Sequence, residues 1–274
     1  IISAPSRSGT THLTVETILQ AYGWDKGWAL LLNAGGHTRS IPERSFGVPE
    51  AVISGQYGVG VVIDFFGLSA IASGQPVEFA YPSLTSVVPA SVGIVKGGPN
   101  PQEARAFVNY LLSEAGQTVL FAPEIARLPV IPELYAKAPK DYPNPFKKKL
   151  GGVEFNDELS SSRRDVVNSL YDHIITFRHN ELREAWKSIY SAEETLAKSK
   201  SANTTQGKSL IADARKLAAQ VPINDKRAAD KEVTGAFKSK SGLKSQLETE
   251  WETAARGNYS KAKELAEKAA ALAK

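Results

Sequence analysis

Gly58-Val59-Gly60-Val61-Val62-Ile63-Asp64-Phe65-Phe66-Gly67 is the stretch on which the fold reading turns. A short apolar run bounded by glycines reads as a fully buried strand ending at Asp64. Such a strand belongs to a sheet covered by helices on both faces, so the expected fold class is α/β. In open α/β sheets ligands gather beyond the carboxyl ends of the strands, which makes Asp64 a candidate acceptor for ligand hydroxyls. The plainer reading of the same residue is a cap or turn-former ahead of Gly67.

Downstream, residues 77–81 and 86–95 read as two further strands, the second broken by Pro89 and therefore a candidate crossover between domains. Upstream, residues 2–23 read ISAPSRSGTTHLTVETILQAYG: an apolar start, a polar loop, then an amphipathic helix on Leu13, Val15, Ile18, Leu19 and Tyr22. The loop Ser6-Arg7-Ser8-Gly9-Thr10-Thr11-His12 would aim hydroxyls and free amides at the positive end of that helix, a favourable place for an anion. Simple capping by Ser or Thr is the competing reading. A Gly-rich loop is expected at residues 34–40, and Ser45 precedes a short helix bounded by Pro49 and Gly55. Residues 101–112 form an expected helix with Ala104, Phe107, Val108, Leu111 and Leu112 on one face, and residues 116–121 another. Pro-rich loops at 129–132 and 138–146 place the end of this first unit near Lys149.

From Asp157 onward the periodicity is helical. Val167, Leu170, Tyr171, Ile174, Leu182, Ala185, Trp186 and Ile189 share one stripe, and Leu210, Ile211, Ala214, Leu217 and Ala218 another. Leu243, Leu247, Trp251 and Ala254, then Ala262, Leu265, Ala266, Ala269 and Leu272, continue the pattern, which predicts a helical bundle.

Composition narrows the function. The 274 residues are 42% hydrophobic and 23% charged, a globular profile with room for two domains. A net charge of +4, scattered along the chain, does not argue for nucleic acid. There is no cysteine, which excludes disulfides and thiolate chemistry. There is no methionine either, so the chain is read as starting away from its translation start, its export signal removed. Gly207-Lys208-Ser209 lacks the leading glycine and strand of a phosphate loop, and Gly55, Gly58 and Gly60 are misordered for a dinucleotide fingerprint. His173 and His179 lack zinc spacing, and Ser-Arg-Ser-Gly-Thr lacks the first glycine of a nucleophile elbow. No catalytic set emerges, and a binding protein is expected rather than an enzyme.

Five segments carry a resemblance: SAPSRSGTTHLTVE, GWDKGWALLL, RSFGVPEAVISGQYGVGVVIDFFGLSA, VVPASVGIVKGGPNPQEARAFVNYLLSEAGQ and ARLPVIPELYAKAP. In this order they resemble the extracellular solute-binding proteins of ABC importers, the class II periplasmic binding proteins. The likeness is to the branch holding ferric-ion binders, sugar-phosphate binders and phosphoglycerate transport regulatory proteins. The resemblance implies two α/β lobes closing on a ligand, with the first lobe's opening part missing here. It assigns residues 1–84 to the second ligand-binding lobe, 85–150 to a returning segment of the first, and 151–274 to a helical extension. It implies a periplasmic protein that captures a small phosphorylated or carboxylated metabolite without catalysis or cofactor and hands it to a membrane permease or a sensor. The implied contacts are Ser6, Arg7, Ser8, Gly9, Thr10 and Thr11 on the anion, Ser45 alongside, Asp64 on a hydroxyl, and His12 on either. Ferric-ion binders place adjacent tyrosines where this chain has Phe65-Phe66, which cannot ligate iron. Iron binding through other residues is one alternative; a helical protein-interaction module on a degenerate binding-protein scaffold is another.

Overall fold

A computed structural model describes residues 1–147, 152–199 and 203–273. The expected end of a unit near Lys149 lies outside the described residues, as do residues 200–202 of the Ser/Lys-rich link. The chain divides into two compact units, Ile1–Gly47 with Asn156–Lys274, and Val48–Phe155.

The first unit is helical. α1 (Gly9–Tyr22) and α2 (Trp24–His37) meet at Gly23, whose φ of +78° is a conformation glycine takes without a Cβ penalty. After the other unit the chain returns through α7 (Asp157–Tyr171), a π-helical turn (Asp172–Thr176) and α8 (His179–Lys198). It continues through α9 (Thr204–Ala218), α10 (Asp225–Ala228), α11 (Lys231–Ser239) and α12 (Gly242–Ala271). The long α12 packs on α8 and α9, α2 packs on α8, and α7 holds α1, α10 and α11. The apolar stripes of the sequence become the seams of one continuous core around Trp28, Tyr171, Trp251 and Tyr259.

Residues 34–37, expected as a Gly-rich loop, are instead the last turn of α2. Gly35 and Gly36 permit a close helix crossing here: a Cβ on Gly36 would fall inside the van der Waals contact of the Trp186 indole.

The second unit corrects the α/β expectation. Its helices are α3 (Gly47–Ile53, starting at the boundary), α4 (Asp64–Ala72), α5 (Pro101–Leu111) and α6 (Glu114–Thr118), with 3₁₀ turns at Val119–Phe121 and Pro132–Lys137. No β-strand occurs among the described residues of either unit. The stretch read as a strand ending at Asp64 is divided: residues 59–63 run as irregular chain, and Asp64 opens α4. The reason is local. An acidic residue suits a helix N-terminus, and the Asp64 carboxylate accepts the Phe65 N–H at 2.8 Å. Phe-Phe-Gly-Leu-Ser-Ala-Ile-Ala can then close its own backbone bonds, whereas a strand needs a ladder partner from elsewhere. Residues 77–81 and 86–95 likewise carry no strand, and Pro89 removes a donor that a ladder would use.

Candidate functional site

The opening loop and the helix it starts are the best-defined polar feature of the first unit. Ser8 is the N-cap of α1, in extended conformation, its Oγ accepting the Thr11 N–H at 3.1 Å. Thr11 is buried behind it, Thr10 is half-buried and Gly9 is exposed. Ser6 is exposed, and Arg7 lies 3.9 Å from Glu43, an exposed pair of little energetic weight. Ser45 sits half-buried in the turn before α3.

His12 is fully buried, at 0% exposure. Its Nδ1 lies 2.8 Å from Asn168 Oδ1 and its Nε2 lies 3.1 Å from Ser160 Oγ, both partners being on α7. One turn along α1, the equally buried Glu16 accepts two bonds from Arg163, from Nε at 3.0 Å and from NH2 at 2.9 Å. The third arm of Arg163 reaches Asp225 on α10 at 3.0 Å, and its guanidinium lies 5.1 Å from the centre of the Trp24 ring. Another turn on, Gln20 donates to the Asn156 carbonyl and accepts the Asn156 N–H at 2.7 Å. Residues 12, 16 and 20, spaced by four, thus form a polar ladder along one face of α1, zipped to α7.

Electrostatics inside the ladder are asymmetric. Burial holds the His12 imidazole below its ordinary pKa, and Arg164 and Arg163 push the same way, against the Asn168 bond and the Glu16 charge. The ladder's other members escaped sequence reasoning. The available signal was His-x₃-Glu-x₃-Gln on a helix otherwise apolar at Val15 and Leu19, answered by an Arg beside the apolar stripe of α7.

Asp64 belongs to the second unit and is described within it. Its Oδ2 accepts the Tyr81 hydroxyl at 3.0 Å. Tyr135 and Tyr142 donate to the carbonyls of Pro129 and Arg127, and the Arg127 guanidinium lies 3.7 Å from the centre of the Phe65 ring. Burial first, and then the Asp64 charge, pushes Tyr142 up to about 12; Tyr81 is also raised. Asp64 therefore meets phenols and a backbone amide of its own unit.

At the α7–α8 junction, the π-helical turn holds Asp172 Oδ1 and Thr176 Oγ1, buried without a hydrogen-bond partner, beside Arg178 Nε in the same condition. Single π turns are frequent at functional sites. Immediately after the turn, Phe177 stands 51% exposed, edge-on to the His173 ring at 5.2 Å.

Residues 1–155 match the sequence model of a family described as bacterial extracellular solute-binding protein, and the chain belongs to that family. It is also 32% identical over 252 residues to the phosphoglycerate transport regulatory proteins PgtC of Salmonella typhimurium and Salmonella typhi. That similarity covers 92% of this chain, which spans 59% of the length of those relatives. No solved structure matches. Membership does not bring the class II binding-protein architecture with it. The described residues contain no sheet, so the two-lobed α/β reading is corrected. The reading as a periplasmic binding protein that captures a solute in an inter-lobe cleft for an ABC transporter falls with it, as does ferric-ion capture in such a cleft. Among the described residues no helix is long and apolar enough to cross a membrane.

Proposed function

We propose that the chain is a helical protein-interaction module of a bacterial transport-regulatory system, built on a binding-protein scaffold that no longer forms a sheet. One observation carries the reading. The family match stops at residue 155, yet the similarity to the transport regulatory proteins covers 92% of the chain and so must run through most of the helices beyond. Sequence that forms the helical bundle here is thus similar to sequence in proteins named for regulation, which supports the reading. The family's extracellular description supports a place in the periplasm, where the partner is a membrane-bound permease or sensor.

Phe177, immediately after the π turn, is the proposed centre of contact, an exposed aromatic on a helical frame. Ser6, Arg7, Gly9, Thr10 and Ser45 are proposed as further polar contacts of the same unit, with Ser8, Thr11 and His12 shaping the loop from beneath; Asp64 is a separate polar point. Uptake of labelled phosphoglycerate by cells lacking the gene, complemented with wild type or Phe177→Asp, tests the reading. Wild type should restore regulated uptake and the variant should not, at equal protein level. Uptake that ignores loss of the gene, or full rescue by the variant, overturns it.

A further inference from the structure

The ladder between α1 and α7 is built with a titratable group at its most enclosed point. With Asn168 Oδ1 accepting from Nδ1–H, the neutral imidazole of His12 receives the Ser160 hydroxyl proton on Nε2. A second proton on Nε2 would force Ser160 to turn from donor to acceptor inside a buried seam, leaving its own hydroxyl proton to find a new acceptor. The new charge would also lack a free counterion. Glu16, one turn along α1, is occupied by two of the three nitrogens of Arg163, and Asp225 takes the third. Arg164 adds another cation on the same side, its guanidinium within 3.9 Å of where a Cβ on Gly9 would stand. Arg163 and Arg164 therefore oppose protonation of His12, and Glu16, whose charge favours it, is already paired with Arg163.

We propose that His12 is a proton-operated latch: acidification loosens α1, together with the Ser6–His12 loop at its head, from α7. The sign follows from linkage. A His whose folded state disfavours the cation contributes stability in full above the ordinary imidazole range, and loses it as pH falls through that range. The rest of the bundle core, formed by α8, α9 and α12, has no part in the event.

Hydrogen exchange of the whole chain, corrected for the intrinsic pH dependence, tests the latch at α1 against α12. Protection of the α1 amides should fall by up to about tenfold per pH unit below about 6.5, while α12 stays level. His12→Asn should abolish the fall. Arg164→Gln changes only an exposed side chain, so it serves even if the first variant does not fold; it should shrink the loss by relieving the opposing charge. A fall in α1 that survives His12→Asn, a wild-type profile with no fall, or indifference to Arg164→Gln each overturns the proposal.

Discussion

The two units of this chain differ both in how much helix they hold and in what that helix buries. In the first, α7, α8 and α12 each bury several side chains in a shared core that includes Trp28, Leu170, Ile189 and Trp251. In the second, α4 and α5 bury none, and Val48, Ala126 and Leu134 are the buried hydrophobic residues found there among the described residues. Val95 is 79% exposed and Phe107 60%. A helix completes its backbone bonds alone and needs only a stripe to pack, so amphipathic segments close a core from neighbours in sequence. Extended segments gain their bonds only from a pairing strand, and the valines of residues 86–95 find none here.

All four tryptophans, at 24, 28, 186 and 251, lie in the first unit, so their fluorescence reports that unit alone. Urea unfolding followed this way should show Trp251→Phe destabilised by about 1 kcal/mol and Trp251→Ala by about 4 kcal/mol. Phe107→Ala in the second unit should move the same curve by less than about 0.5 kcal/mol. Equal effects would erase the contrast between the units.

Next in size is the buried ion pair. Arg163→Met strands Glu16 without its partner and should cost about 3 kcal/mol, whereas adding Glu16→Leu should recover most of that loss. A double variant as unstable as the single one would show that the seam is held by packing rather than by charge balance. Gly36→Ala, which sets a methyl against Trp186, should cost about 2 kcal/mol in the same assay. The smallest effect is expected in the second unit. Asp64→Asn removes the charge that helps raise Tyr142, so its absorbance titration should move down from about 12 toward the ordinary tyrosine range. Tryptophan fluorescence should not register that change, and a shift there would mean that the units are coupled.

Legibility followed the range of the interactions. The stripes from Val167 to Ile189 and from Leu243 to Leu272 could be read at once, because residues three or four apart already share a helix face. Capping by a Ser or Thr of the opening loop was legible only as the competing reading, and the structure puts that cap at Ser8. His12 was visible as a polar residue of the loop, but its partners Ser160 and Asn168 lie 148 and 156 residues away and leave no local trace. The segment at 58–67 misled because an apolar run of that length fits a buried strand and a helix start equally well.

The sequence by itself determined the periodic helices and the absence of thiol chemistry, since each depends on residue type and short spacing. Tertiary structure alone decided that residues 59–63 meet no pairing strand, that Gly35 and Gly36 continue a helix, and that residues 12, 16 and 20 form a seam with α7. The physical reason is common to all three. Strand pairing, close helix crossing and buried polar partnership are each settled by atoms brought together from distant parts of the chain.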